Sequence, residues 1–254
     1  MENSLYLACY MKQTTQKLIK QAQKIMSRSS DPVHDIKHVQ CVVENVKKIS
    51  NDINISEQNK KALILAAWWH DAGRTITKKP SIIWMVMIDD IISAFMLLGH
   101  SLCFGLWNRT VWQASKIILC KGFRADNFLT RILLKKKTKL LLNILCDADI
   151  IEVLNQERIN FFLPLIKNSK LSLASYKFLT NRNLKINKLK IKTEAARKYF
   201  EEIIKKLLQW AKQTEIIKWH IENFGKEWYD KIKKRIEDLL DYITLLNLQT
   251  NHTI

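Results

Sequence analysis

Glycine and proline are scarce in this sequence, with 5 and 3 residues among 254. Turns between the strands of a sheet depend on these two residues, so their scarcity disfavours a many-stranded sheet. Helices joined by short polar loops are favoured, and a content of 47% hydrophobic residues is enough for a sizeable core. The sequence therefore predicts an all-α fold.

The sequence also lacks a Cys-x-x-Cys pair, and its five cysteines are odd in number. This usage is typical of a reducing compartment, where thiols pack as small hydrophobic groups. The apolar run at the N-terminus has no basic leader and does not indicate a secretory signal. We expect a cytoplasmic protein.

A long uninterrupted apolar run is missing as well. The longest apolar stretch, residues 82–98, has Asp89 and Asp90 at its centre. Two carboxylates in the middle of a bilayer would be costly, and a stretch of this length is at the short limit for a membrane span. The stretch predicts a buried helix with one solvent-facing acid and one ion-paired acid, or with an acid that lies over a functional site. No membrane partner is expected.

Acidic residues are outnumbered, 24 against 42 basic residues, which gives a formal net charge of +18. A basic surface attracts phosphate without regard to base sequence. The joint abundance of Lys, Ile and Asn indicates that most of this charge occupies tolerant, solvated surface positions. The charge is compatible with an anionic substrate, and nucleic acid is the second choice of partner.

Helix signals recur along the chain. Asp31 followed by Pro32 predicts a helix start, with an acidic N-cap and proline at the first helical position. Ser56 begins another predicted helix, which carries His70 in its last turn and which Gly73 is placed to end. Further helices are predicted over residues 14–26, 81–98, 108–120, 137–155, 158–166, 170–180, 192–213 and 222–247, the last two broken near Gly225.

Four dispersed side chains are the most informative set in the sequence. Two are imidazoles and two are carboxylates, and the three segments that carry them all have helical patterns. They can meet only if the fold gathers them, and they would then bind a divalent cation. Imidazole suits the borderline transition metals and carboxylate the harder ions, so the set favours Mn, Fe, Co, Ni, Zn or Mg. The four residues are His38, His70, Asp71 and Asp149.

Three segments surround these residues: Asp31-Pro-Val-His-Asp-Ile-Lys-His-Val-Gln-Cys-Val42, Ala66-Ala-Trp-Trp-His-Asp-Ala-Gly-Arg74 and Cys146-Asp-Ala-Asp-Ile-Ile-Glu152. Together they resemble the H…HD…D signature of the HD-domain metal-dependent phosphohydrolases. The resemblance implies an all-helical domain that holds one or two metal ions and hydrolyses phosphate esters, often of nucleotides. Lys192-Thr-Glu-Ala-Ala-Arg197 resembles a feature that follows the third motif in bacterial members. That feature implies a catalytic domain over residues 1–212, followed by a helical extension over 213–254.

The resemblance also implies roles around the metal. It favours Asp149 over Asp147 as the ligand, with Asp147 as a helix cap or as a partner that orients the site. Asp71 would bind the metal and hydrogen-bond the attacking water. A ligating histidine usually donates its second ring nitrogen to a carboxylate or carbonyl. Asp35, one turn before His38, is therefore the expected catalytic partner, and the alternative is an acid that interacts only with the helix dipole.

Substrate contacts are implied in the same way. Arg74 with Lys78 or Lys79 would clamp a phosphate, the arginine bidentately. His34 would contact the phosphate or lie exposed in the first turn of its helix, and His100 would contact substrate or pack in the core. Members with two metals carry a further histidine where this chain has residues 120–122, and none is present here. A second metal site is therefore not expected.

These features predict a metal-dependent phosphohydrolase that acts on a nucleotide or another small phosphorylated metabolite. The metal would lower the pKa of a bound water and polarise a phosphoryl oxygen. The alternative is a non-catalytic HD-fold module that binds RNA or another anionic partner through its basic surface.

Overall fold

The computed structural model describes residues 15–31, 33–76, 85–122, 136–167, 170–186 and 191–251. Every regular element in these ranges is helical, which confirms the predicted all-α class. A short 3-10 helix, Ala72–Ile76, lies between the third and fourth α-helices. The α-helices are α1 (residues 15–26), α2 (Ile36–Asn51), α3 (Glu57–Trp69), α4 (Met85–Cys103), α5 (Arg109–Gly122), α6 (Lys136–Val153), α7 (Gln156–Lys167), α8 (Lys170–Asn183), α9 (Glu194–Ala211), α10 (Thr214–Phe224) and α11 (Lys226–Asn251).

The helix that carries His38 starts later than the sequence predicts. Asp35 is the N-cap of α2, and its carboxylate accepts a hydrogen bond from the backbone N of His38 at 2.9 Å. Asp31 instead closes a turn, because its Oδ1 accepts from the backbone N of Val33 at 2.8 Å. The predicted start at Asp31 is therefore wrong, since a local turn satisfies that acid before the helix begins. Pro32 lies outside the described residues.

The segment after α3 lies directly against α4. The predicted N-cap of α3, Ser56, is confirmed, and the helix ends at Trp69. Gly73 lies inside the following 3-10 helix, so its predicted role in ending α3 is wrong. A Cβ at Gly73 would lie 2.4 Å from the backbone oxygen of Asp89, and the backbone N of Gly73 donates to Ser93 Oγ at 2.8 Å. This glycine is needed because any side chain would push the two segments apart.

The C-terminal part contains one helix more than predicted. The break near Gly225 is confirmed, and its φ of +86° lies in the region that favours glycine. Thr214–Phe224, however, forms α10, where no separate helix was predicted. Its 11 residues are too few to stand out between two longer periodic patterns.

The chain divides into two compact units, Met1–Ala148 (unit 1) and Asp149–Ile254 (unit 2), and the division falls inside α6. In unit 1, α3 packs against α2 and α5, and α4 packs against α5 and the 3-10 helix. In unit 2, α9 and α10 pack against α11, and α7 packs against α8. The predicted boundary after residue 212 lies within unit 2. Among the described helices, none has the length and apolarity that a membrane crossing requires.

The core of unit 2 contains a histidine with both ring nitrogens bonded. His220 Nδ1 donates to the backbone oxygen of Ile216 at 2.8 Å, and Nε2 accepts from the hydroxyl of Tyr176 at 2.9 Å. The rings of Trp219 and Trp228 lie 4.8 and 5.6 Å from it, centroid to centroid. Burial lowers the pKa of His220 to about 4, although the bond to Ile216 opposes the shift. The ring is therefore neutral at physiological pH.

We expect His220 to make the protein less stable in acid. Below pH 6.5 the unfolded chain takes up a proton that the folded ring does not accept until about pH 4. The free energy of unfolding therefore falls as the pH falls, by roughly 2.5 kcal/mol between about pH 7 and pH 4.5 from this group alone. His220→Phe keeps an aromatic ring and cannot titrate. Its free energy of unfolding should therefore rise by this amount relative to that of the wild type as the pH is lowered between these two values. Urea unfolding of both proteins at the two pH values measures it, and a pH-independent difference would contradict the prediction.

Candidate metal centre

Three of the four predicted ligands converge. His38, His70 and Asp149 each offer a ligand atom, and these atoms all lie within 4.8 Å of one another. They come from α2, from the end of α3 and from α6. Nitrogen and oxygen ligands lie about 2.0–2.2 Å from an ion such as zinc, so the ligands of one ion are at most about 4.4 Å apart. The spacing of the cluster is thus close to what a bound cation requires.

The fourth predicted ligand lies against both histidines. Asp71 Oδ2 is 3.1 Å from Nε2 of His38 and 3.3 Å from Nε2 of His70. Both imidazoles and the carboxylate are buried, whereas Asp149 is half-buried. Asp71 therefore adjoins the two histidines of the cluster, and its direct binding to a metal stays a prediction.

The hydrogen bonds of His70 indicate which nitrogen faces the site. Nδ1 lies 2.7 Å from the backbone oxygen of Ala67, and a carbonyl oxygen can only accept, so Nδ1 is the protonated nitrogen. In a neutral ring, Nε2 then carries the lone pair, and it points at a carboxylate oxygen that is also an acceptor. His70 Nε2 and Asp71 Oδ2 are buried atoms without a hydrogen-bond partner among the described residues. A cation between them would satisfy both, so the donor set fits a divalent metal.

Asp71 is an anion at neutral pH. Burial raises its pKa, but the nearby imidazoles of His70, His34 and His38 together outweigh burial. The pKa of Asp71 therefore lies well below its usual value. A negative charge at this position adds to the attraction for a cation.

Arg74 is bound by three carboxylates. Its Nη2 lies 2.5 Å from Asp89 Oδ2, its Nε lies 3.5 Å from Asp71 Oδ1, and its Nη1 lies 3.9 Å from Asp31 Oδ2. The side chain is only 12% exposed. The guanidinium thus forms an ion pair, without a hydrogen bond, with the Asp71 oxygen that faces away from the histidines. The predicted contact of Arg74 with phosphate stays a prediction.

Two residues of the first motif support His38 from its N-terminal side. Asp35 caps α2 through the backbone N of His38, which is the structural role of a first-turn acid. Its predicted action on the His38 ring stays a prediction. His34 Nδ1 pairs with Asp31 Oδ2 at 2.9 Å, and the His34 ring lies 5.5 Å from the ring of His38. The side chain of His34 is 24% exposed, so it borders the site and can be reached from solvent.

The remaining predicted residues are placed as follows. His100 lies inside α4 and packs against the rings of Trp69 and Phe104, with centroids 5.4 and 6.0 Å away, as the packing alternative expects. Asp147 is fully buried inside α6, so the helix-cap alternative is wrong, and its other predicted role, as a partner that orients the site, stays a prediction. Lys78 and Lys79 lie outside the described residues.

Both acids of α4 are buried and ion-paired. Asp89 binds Arg74, and Asp90 Oδ1 lies 3.3 Å from Lys121 Nζ. The expectation of one solvent-facing acid is therefore wrong, because α4 turns both acids inward. Burial raises the pKa of Asp90 to about 6, against the attraction of Lys121. A Cβ at Gly122 would lie 2.9 Å from Cβ of Asp90, so this close approach also depends on a glycine.

Sequence reasoning missed two supporting residues. Asp31 pairs with His34 and approaches Arg74, although only its place at the start of the first motif pointed to it. Lys121 Nζ pairs with the buried Asp90 at 3.3 Å. No sequence signal pointed to this contact.

No family model matches the chain, and no significant match to a curated protein or to a solved structure is found. Membership of the HD-domain family therefore stays a prediction that rests on three sequence segments. The convergence of their histidines and aspartates is a separate observation, which comes from the tertiary structure.

Proposed function

We propose that the protein is a metal-dependent phosphohydrolase of the HD type, acting on a nucleotide or another small phosphorylated metabolite. The observation that carries the proposal is the meeting of His38, His70 and Asp149, with the Asp71 carboxylate against both imidazoles. Mixed imidazole and carboxylate ligands leave open the choice among Mn, Fe, Co, Ni, Zn and Mg.

The four residues would hold the ion through two neutral imidazoles and two carboxylates. A bound divalent cation supplies an activated water and polarises a phosphoryl oxygen, which is the chemistry that phosphoester hydrolysis needs. The burial of His38, His70 and Asp71 keeps these groups in a low-dielectric setting, where charge interactions are strong.

The chain itself would orient the nucleophile and the substrate. Asp71 is ionised at neutral pH, so it can accept a hydrogen bond from the attacking water. Arg74 would help to orient that carboxylate through the ion pair with its Oδ1 at 3.5 Å. His34, which is partly exposed beside His38, would contact a substrate phosphate. The net charge of +18 favours approach of an anionic substrate.

Metal analysis coupled to activity tests the proposal. We expect purified protein to contain a divalent metal and to hydrolyse p-nitrophenyl phosphate or a nucleotide from a panel supplied with Mn, Co, Ni or Mg. His70→Gln should lose both the metal and the activity. His220→Gln is the matched control, because it too replaces a buried histidine whose Nδ1 donates to a carbonyl one turn back. It should keep the metal and the activity.

Full activity in His70→Gln or after thorough chelation would rule the proposal out. Protein without metal that binds RNA with a steep salt dependence would favour the non-catalytic alternative, which the basic charge also supports.

A further inference from the structure

α4 exposes large apolar side chains and buries both of its acids. In a helix at the surface of a globular protein, charged residues face water and apolar residues face the core. Here Asp89 and Asp90 are 3% and 7% exposed, whereas Ile88, Phe95 and Leu102 are 44%, 65% and 62% exposed. The three apolar residues are seven positions apart, which places them along one side of the helix. The described part of unit 1 thus presents an apolar stripe to solvent.

Further apolar side chains are exposed in the turn between α4 and α5 and at the start of α5. Phe104, Trp107 and Trp112 are 46%, 52% and 46% exposed, and the two indole rings lie 5.8 Å apart. The turn is fixed from within: the backbone N of Leu106 donates to the oxygen of Ser101 at 2.8 Å, and the Leu106 side chain is buried. The aromatic side chains are therefore held outward by an ordered backbone. We call the six exposed residues the aromatic face: Ile88, Phe95, Leu102, Phe104, Trp107 and Trp112.

The exposed charges that α4, α5 and the turn between them carry are positive. Arg109 is exposed at the start of α5, and Lys116 Nζ lies 4.9 Å above the ring of Trp112. Residues 88–122 contain two acids, Asp89 and Asp90, and both are buried against cations. The surface of this part of the chain therefore combines exposed tryptophans with cations and no exposed carboxylate.

We propose that the aromatic face docks the protein on the surface of an anionic lipid bilayer. Tryptophan is enriched at the boundary between lipid and water, because its ring is apolar and its N–H is polar. Exposed apolar groups insert shallowly, and neighbouring basic residues are attracted to anionic headgroups. A second copy of this chain fits less well, since two chains that each carry +18 repel one another. The inference does not depend on the proposed hydrolase activity.

A protein that docks in this way contacts one surface of the bilayer and does not cross it. It departs from the sequence-based expectation of no membrane partner, which rested on the length and charge of residues 82–98 as a span. The two buried acids that argued against a span do not oppose surface docking, because they face away from the aromatic face.

Vesicle flotation tests the proposal. Full-length protein should float with vesicles of equimolar phosphatidylcholine and phosphatidylglycerol, and less with vesicles of phosphatidylcholine alone. Trp107→Ser/Trp112→Ser should weaken binding to the anionic vesicles by about tenfold or more, because the main interfacial anchors are lost. Phe178→Ser is the matched control, since Phe178 is 63% exposed on α8 of unit 2. It should bind as the wild type does.

Three results would overturn the proposal. The wild type could fail to float with anionic vesicles, or the double variant could float equally well. Light scattering could instead reveal a dimer that the double variant abolishes while vesicles are not bound, which would assign the aromatic face to a second copy of the chain. Circular dichroism of the double variant checks that its helices are intact.

Discussion

Asp71→Asn is expected to reduce phosphoester hydrolysis by roughly 10²–10⁴-fold, the range that a group acting in proton transfer contributes. Asparagine has nearly the same shape but lacks the negative charge that lies against His38 and His70. Its amide also cannot offer an acceptor to both the imidazole side and Arg74. Metal content should fall as well, because one anionic group is removed from the cluster.

Steady-state hydrolysis and elemental analysis of the same preparations measure the effect of Asp71→Asn. Asp230→Asn is the matched control, since it makes the same substitution in an exposed pair with Lys226 on α11. That control should keep its activity, because exposed ion pairs contribute little. Wild-type turnover together with normal metal content in Asp71→Asn would count against any role of this carboxylate in the site.

Arg74→Met is expected to lower the free energy of unfolding by roughly 3–5 kcal/mol, the usual effect of removing one partner from a buried ion pair. The substitution leaves the carboxylates of Asp89, Asp71 and Asp31 in a buried region without the cation that faces all three. Arg74→Lys should cost less, because it keeps the charge, but a single ammonium cannot bind three carboxylates in the manner of a guanidinium. Urea unfolding at neutral pH measures both variants.

Two further variants make the Arg74 result specific. Arg74→Met/Asp89→Asn should recover part of the loss, because the carboxylate closest to the missing guanidinium is then neutral. Arg182→Met, at an exposed position of α8, should change stability by no more than about 0.5 kcal/mol. A loss in Arg74→Met no larger than in this control would show that the three carboxylates do not depend on Arg74.

The kinetics of Arg74→Lys separate two roles for the arginine. If Arg74 positions Asp71, the main effect should be on kcat, because the orientation of the catalytic carboxylate changes. A phosphate clamp would instead raise KM with little change in kcat. The three ion pairs of the guanidinium favour the first outcome.

A helix start was predictable where a good N-cap residue directly precedes the helical pattern. Ser56 stands next to Glu57, the first residue of α3, and it caps that helix. Asp31 and Asp35 are both good N-cap residues, and choosing between them requires the backbone conformation that the turn at Asp31 adopts. Gly73 illustrates the same limit, because its role depends on how closely Asp89 approaches from α4.

The ligand cluster could be anticipated in its residue types but not in its geometry. Asp147 and Asp149 are two residues apart on α6, which places them on sides of the helix that differ by about 200°. Only the rotation of α6 decides which carboxylate joins the histidines. Asn45 of α2 contributes to that rotation, since its Nδ2 donates to the backbone oxygen of Ala148 at 3.2 Å. The preference for Asp149 came from a resemblance, and the coordinates place it in the cluster with His38 and His70.

The amino-acid sequence alone determined that the chain is helical, where most helices lie and which side chains could bind a metal, because these properties follow from composition, periodicity and residue chemistry near each position. Tertiary structure decided the rest. It brought His38, His70 and Asp149 together, placed Arg74 among three carboxylates, and turned Asp89 and Asp90 of α4 inward while Phe95 and Leu102 face water. These outcomes depend on which faces of distant helices pack against one another, and no local pattern in a single helix specifies its partners.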